Sequence, residues 1–153
     1  MKIAVGTDHG GYSLKQVIVE ELARLGHTAV DCGAYEYDSK DDYPDYARAV
    51  GRAVQRGEAE RGIVICGSGV GASVAASKMR GIRAAVCHDT YSAAQGVEHD
   101  NMNVLCLGAR IIGEELARSL VRAFVSAQFS PDPRFQRRLD KVIEIETEQA
   151  QTQ

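Results

Sequence analysis

No run of about 18 consecutive apolar residues occurs in the chain, so no segment has the makings of a helix that crosses a bilayer. The opening Met1-Lys-Ile-Ala-Val-Gly6 has the pattern of a first strand rather than of a signal peptide, and the expected compartment is the cytosol. C-x-x-C pairs are missing too. Cys32, Cys66, Cys87 and Cys106 are scattered singly, which fits neither a disulfide framework nor a structural zinc site, and reduced thiols are expected. Positive charge is in short supply: 18 Lys and Arg face 21 Asp and Glu, for a net charge of −3 and a pI near 5.8. That balance argues against a nucleic-acid surface, so an anionic ligand must be met by a local cluster of donors. Internal repeats are absent, and the one biased stretch is a polar tail after Thr147. With 153 residues, 44% of them hydrophobic and 25% charged, one domain over residues 1–147 is expected to build its own core, followed by the tail at 148–153.

Short β-branched runs alternate with helical patterns. Ile3–Val5, Thr28–Cys32, Gly62–Cys66, Ile82–Cys87 and Val104–Leu107 are predicted strands. Leu14, Val17, Ile18, Leu22 and Leu25 mark one helix face, and Leu116, Leu120, Val121 and Phe124 another. Tyr46–Gln55, Ala72–Met79 and Tyr91–Val97 are further helix candidates. Such alternation predicts an α/β single-domain, three-layer Rossmann-like fold, with an open five-stranded parallel sheet and right-handed crossovers. Ser130-Pro-Asp132-Pro133 is a start signal for a C-terminal helix, with Asp132 as N-cap. Arg134, Arg137 and Arg138 then crowd a helix N-terminus, an unfavourable place for cations unless an anion joins them.

Ligands of parallel α/β sheets bind beyond the carboxyl ends of the strands. The polar residues found there are Asp8 and His9 after the first strand, Cys66–Gly71 after the third, His88 and Asp89 after the fourth, and Arg110 after the fifth. Gly33–Asp45, closed by Tyr43-Pro44, is the longest irregular loop and is placed to fold over that rim. His27 and His88 match no motif and are expected to be surface or satisfied loop residues.

Cys66-Gly67-Ser68-Gly69-Val70-Gly71 delivers a thiol into a glycine-rich turn that opens a helix. Glycines let the backbone turn sharply and aim several N–H groups at one point, and a helix N-terminus beside a cysteine favours its thiolate. Three chemistries compete for this loop. A dinucleotide fingerprint would use Gly67, Gly69 and Ala72 with Asp89 on the ribose, but it wastes the cysteine. A cysteine phosphatase needs an arginine at the sixth residue after the nucleophile, where this chain has Ala72, although a cysteine hydrolase with His9 or His99 as base stays open. In the third, Cys66 is a general base moving a proton between adjacent carbons of a sugar phosphate.

Asp8-His9-Gly10-Gly11, Tyr43-Pro44, Cys66–Gly71, Gly81-Ile-Arg83-Ala, Glu98-His99-Asp100, Asn103-Val-Leu and Gly108-Ala-Arg110 together resemble ribose-5-phosphate isomerase type B and its relatives, the allose- and galactose-6-phosphate isomerases included. The similarity runs from Met1 to about Ile145. It implies an aldose–ketose isomerase without metal or cofactor, with Cys66 as the proton-transferring base and His99 opening the sugar ring. Gly67, Ser68, Gly69, Val70 and Gly71 would surround the enediolate, while Asp8 holds sugar hydroxyls and Tyr43 packs near them. His9, Arg134 and Arg138 match the phosphate-binding group, and Asp100 and Arg110 match substrate-contacting positions. The resemblance also implies a homodimer with the site between subunits, the His99 to Arg110 side reaching into the partner, and a tetramer as the alternative assembly.

Two departures stand out. Asp100 takes the place where many relatives carry asparagine, and Phe129–Phe135 replaces a glycine-rich approach and an Arg-His pair. Ribose 5-phosphate and ribulose 5-phosphate are the leading pair. The alternatives are a six-carbon sugar 6-phosphate of the allose type and a non-catalytic sugar-phosphate or nucleotide-binding module.

Overall fold

Alternation at period two decides how the strands are buried. In a computed structural model describing residues 1–152, Ile3 and Val5, Ile63 and Ile65, and Leu105 and Leu107 face one core, while Ala4, Val64 and Cys66, and Val104 and Cys106 face the other. Both faces of the sheet are therefore covered, as a parallel sheet requires. The strands are β1 (Lys2–Thr7), β2 (Thr28–Asp31), β3 (Arg61–Cys66), β4 (Ala84–Val86) and β5 (Val104–Gly108). They form the expected five-stranded sheet in the order β2-β1-β3-β5-β4, with every pairing parallel.

The helices are α1 (Tyr12–Arg24), α2 (Tyr43–Gln55), α3 (Val70–Ala76), α4 (Thr90–Asp100), α5 (Glu114–Ser126) and α6 (Pro133–Gln151). Buried residues of α1, α4 and α5 join the first core, and those of α2 and α3 join the second. Each fully buried Ile, Leu or Phe in these layers contributes about 1.5–3 kcal/mol of transfer free energy. Glu21 of α1, 1% exposed, ties this layer together: it receives Arg24 at 2.6 Å and has Arg118 and Arg122 of α5 at 3.7 and 3.6 Å.

Several element ends differ from the sequence reading. The fourth strand keeps only three residues of the predicted Ile82–Cys87, because it is an edge strand with β5 as its one neighbour. The second strand, the other edge, ends one residue early at Asp31. Tyr43-Pro44 does not close the long loop but starts α2, where proline sits in the first turn at no hydrogen-bonding cost. Helix α3 begins at Val70 and is only seven residues long. Helix α4 runs on to Asp100, carrying His99 on its last turn before Asn101 ends it in the left-handed region at φ 50°. Asp132 caps α6 as expected, accepting the Arg134 N–H at 2.9 Å. That helix continues through Glu148–Gln151 of the polar tail, whose final residue, Gln153, lies outside the described residues.

This order creates a crevice. β1 and β3 are neighbours, yet the chain leaves β1 for α1 on one face and leaves β3 for α3 on the other. The loops Asp8–Gly11 and Cys66–Gly69 lie side by side at that switch point, where open α/β sheets place their ligands, so close that a Cβ on Gly10 would stand 2.9 Å from the Gly67 nitrogen.

Candidate active site

The loop after β1 is folded by its own carboxylate. Buried Asp8 uses Oδ1 to accept the N–H groups of Gly10 at 2.9 Å and Gly11 at 3.3 Å, so it organises the entry to α1. Burial raises its pKa above the usual aspartate range, and these N–H bonds offset only part of the effect. Among the described residues, its Oδ2 accepts no hydrogen bond and is available to a hydroxyl.

The loop after β3 leans on the end of β5. The carbonyls of Cys66 and Gly67 accept the N–H groups of Ala109 and Arg110 at 2.9 and 3.0 Å. Gly69 is in the left-handed region at φ 81°, where a side chain would be strained. At Gly108, a Cβ would stand 2.5 Å from the backbone of Ser68, so β5 and the loop touch through a position that has no room for one. Inside this turn, buried Cys66 accepts the Gly69 N–H on Sγ at 3.1 Å. Ser68 Oγ accepts the Val70 N–H at 3.3 Å, leaving its own hydrogen free to donate. The N–H groups of Gly67 and Ser68 meet no acceptor among the described residues. A backbone cradle therefore stands beside a sulfur, with little help from the short helix α3.

Three more expected residues border this cradle. The Arg110 side chain lies over Gly67, 3.6 Å from where a Cβ would be, so it reaches its own chain's loop. The Tyr43 ring covers Gly71, where a Cβ would overlap it. His9 stands across the crevice beside Asp8, and there the structure adds residues that the sequence did not single out. Asp41, from the long loop, accepts both the His9 backbone N–H at 2.9 Å and Nδ1 at 2.7 Å on a single oxygen. Tyr46 donates to its other oxygen at 2.9 Å. The bond to Asp41 raises the His9 pKa above that of an ordinary imidazole, with desolvation opposing. Burial alone would lift Asp41, but the donors from His9 and Tyr46 outweigh it and hold its pKa low. Asp8, His9 and Asp41 offer ligand atoms within 4.8 Å of one another; with His9 and Asp41 already bonded to each other, they form an ion pair beside a carboxyl rather than an open metal cage.

A second group forms elsewhere. His99 stacks on Phe135 with ring centroids 4.1 Å apart and planes 12° from parallel. The guanidinium carbons of Arg134 and Arg138 stand 4.7 and 5.8 Å from that same ring centroid. No hydrogen bond or ion pair among the described residues joins this group to the cradle. Asp100, one residue beyond His99, borders a different cleft, of about 830 Å³, with Arg83, Met102 and Glu146. His88 is a satisfied loop residue as expected: its Nε2 accepts the Gly108 N–H at 2.9 Å. Asp89 caps α4 by accepting the Ser92 N–H at 2.7 Å, which uses up the acid that a dinucleotide site would need.

A family model described as Ribose/Galactose Isomerase matches residues 3–142. The chain belongs to the Ribose/Galactose Isomerase family. It is 45% identical over 145 residues to ribose-5-phosphate isomerase B of Escherichia coli K12, covering 95% of this chain and 96% of that one. It is 42% identical over 132 residues to the D-erythrulose-4-phosphate isomerase of Pectobacterium atrosepticum, covering 84% and 85%. The solved structure of ribose-5-phosphate isomerase B from Mycoplasma genitalium with bound ribulose-5-phosphate superposes with a TM-score of 0.90 at 40% identity, covering 96% of this chain and 97% of that one.

As a Ribose/Galactose Isomerase family member, the chain is an isomerase, and its crevice has the groups that proton transfer needs: a sulfur, free N–H donors, a carboxyl and an imidazole. Asp41 and Tyr46 escaped the sequence reading because five acidic residues share the loop Gly33–Asp45 and nothing in their spacing marks the one that closes on His9. Gln95 escaped it as well. Its signal was present, since residues four apart on a helix meet, and Gln95 Nε2 lies 2.9 Å from His99 Nδ1.

Proposed function

We propose that the chain is a cytosolic aldose–ketose isomerase that interconverts ribose 5-phosphate and ribulose 5-phosphate through an enediolate. The observation that carries this reading is the buried Cys66 sulfur at the switch-point crevice, set against a cradle with free N–H groups. A bound ribulose-5-phosphate in a relative 40% identical supports the choice of sugar.

His99 opens the furanose: its Nε2–H passes to the ring oxygen as the C1–O bond breaks, and the proton leaving the anomeric hydroxyl restores the imidazole. Cys66, as thiolate, removes the proton from C2. The electron pair moves into a C1–C2 double bond and onto O1, where Gly67, Ser68 and the turn through Gly69, Val70 and Gly71 meet the charge, a preorganised arrangement that needs no reorientation during the reaction. Return of the proton at C1, with transfer of the O2 hydroxyl proton to O1, gives the ketose. Asp8 takes sugar hydroxyls beside Tyr43, and Asp100 and Arg110 complete the sugar contacts. His9, Arg134 and Arg138 hold the phosphate through charge-assisted bonds. Because the cradle and the His99 group are separate in one chain, the site is completed by a second copy in a homodimer, each copy a single domain over residues 1–147. No step draws on a metal or a cofactor.

The similarity to a D-erythrulose-4-phosphate isomerase makes a four-carbon sugar phosphate the second reading. The test is turnover of the purified protein on ribose 5-phosphate, D-erythrulose 4-phosphate and allose 6-phosphate in heavy water. Ribose 5-phosphate is expected to turn over best, with solvent deuterium entering the sugar, and Cys66→Ala to lower kcat by about 10²–10⁴. Tight phosphate binding without turnover of any sugar would leave a binding module in place of an isomerase.

A further inference from the structure

His99 is held on two sides. Its face lies on the ring of Phe135, 4.1 Å between centroids and 12° from parallel. At its edge, Gln95 Nε2 stands 2.9 Å from Nδ1, so the amide donates and the ring hydrogen rests on Nε2. The two holds come from different elements. Gln95 is one turn back on α4, whereas Phe135 is in the first turn of α6. That turn is pinned in place: the Ser130 N–H donates to the Glu98 carbonyl at 2.9 Å, and Asp132 receives both the Arg134 backbone N–H at 2.9 Å and Arg134 Nε at 3.1 Å. Phe135 is buried, so its ring cannot turn away while α6 stays docked.

A free imidazole rotates about two side-chain bonds and chooses between two tautomers. A stack removes tilt of the ring plane, and a donor at Nδ1 removes in-plane rotation and fixes which nitrogen carries the hydrogen. We infer that Phe135 and Gln95 are the positioning residues of His99: together they present Nε2–H in one orientation for opening the sugar ring. This rests on the role given to His99 in the proposed function. The same Phe135 ring carries the guanidinium groups of Arg134 and Arg138 on its surroundings, at 4.7 and 5.8 Å. The ring-opening and phosphate-binding groups thus share one aromatic support.

Ribulose 5-phosphate is open-chain, so deuterium exchange at its C1 needs the base and the cradle but not ring opening. That difference separates positioning of His99 from general damage. Gln95→Leu is expected to lower kcat on ribose 5-phosphate by about 10- to 100-fold while KM holds, and Phe135→Leu to lower kcat by a similar factor and to raise KM as well, because its ring also supports Arg134 and Arg138. At saturating ribulose 5-phosphate, solvent deuterium exchange stays at the wild-type rate in both variants, and Phe135→His, which keeps a planar ring, retains most of the turnover. Equal losses in both assays, or no loss in either, overturn the assignment. Wild-type protein that neither turns over ribose 5-phosphate nor exchanges deuterium overturns instead the isomerase reading on which the assignment rests.

Discussion

Asp41 sets the charge that His9 brings to the crevice. Its Oδ1 takes both the backbone N–H and Nδ1 of His9, while Tyr46 steadies Oδ2. The hydrogen bond to Asp41 raises the His9 pKa. The sign follows from that direction: the imidazolium and its ion pair are fully present below the ordinary imidazole pKa, and they are lost as pH rises through the raised value. With His9 on the phosphate as proposed, affinity is expected to share this window, since the imidazolium is the form that pairs with a phosphate dianion. Asp41→Asn is therefore expected to raise KM about tenfold, the worth of one charge-assisted bond, with little change in kcat. The alkaline rise of KM should also move to lower pH, which a KM profile from about pH 6 to about pH 9 reads directly. Unmoved KM at every pH would mean that His9 does not bind the phosphate. Single residues were legible in the sequence in proportion to how far they carry a local signature. Cys66 stands out because glycines follow it. Asp41 acts across 32 residues of chain, a distance that no local pattern spans.

Elements were legible where burial is two-sided. β1, β3 and β5 are interior strands whose apolar runs need no partner to be recognised, and they stand within a residue or two of their expected limits. β2 and β4 are edges, and their half-exposed residues blur where pairing stops. Helix ends were harder still, since Tyr43-Pro44 serves a loop end or a helix start equally well by composition. What the alternation of elements did not disclose is the contact between the β3–α3 turn and β5. There the Ser68 backbone closes on Gly108 with no space for a Cβ. Neither partner is a flexible side chain, so a methyl group at 108 has to push the turn away from β5 and carry the cradle N–H groups with it. Gly108→Ala is expected to lose about 1–3 kcal/mol of stability, the usual cost of overpacking. Its kcat is expected to fall by about 10²-fold or more, the cost of misplacing an oxyanion donor. Urea unfolding and steady-state kinetics on the same variant check the pair of effects. A stable variant with full kcat would show that the turn adapts without moving its donors.

On the scale of the whole molecule, the chemistry is divided. Asp8, His9, Cys66 and Arg110 gather at the strand ends, whereas His99, Phe135, Arg134 and Arg138 gather where α6 meets α4. Large apolar side chains beside the cradle are left open, Val70 at 56%, Val74 at 55% and Ile111 at 61% exposed. Exposed apolar side chains next to a functional crevice suit a surface that another protein face covers. The homodimer we propose would account for both facts, because a symmetric interface would bring each copy's His99 group to the other copy's cradle and bury both patches at once. The proposed division between copies has a consequence that a site within one chain does not share. Let one subunit carry Cys66→Ala and another His99→Asn, each inactive alone. In a hybrid dimer, one site combines both lesions, and the other combines the intact cysteine of one subunit with the intact histidine of its partner. Random exchange makes half of the dimers hybrid, so an equimolar mixture is expected to recover about a quarter of wild-type turnover. Recovery should appear at the pace of subunit exchange and vanish if the two variants are cross-linked as homodimers before mixing. Were the site confined to one chain, every subunit in the mixture would still hold a lesion, and activity would stay at the level of the separate variants.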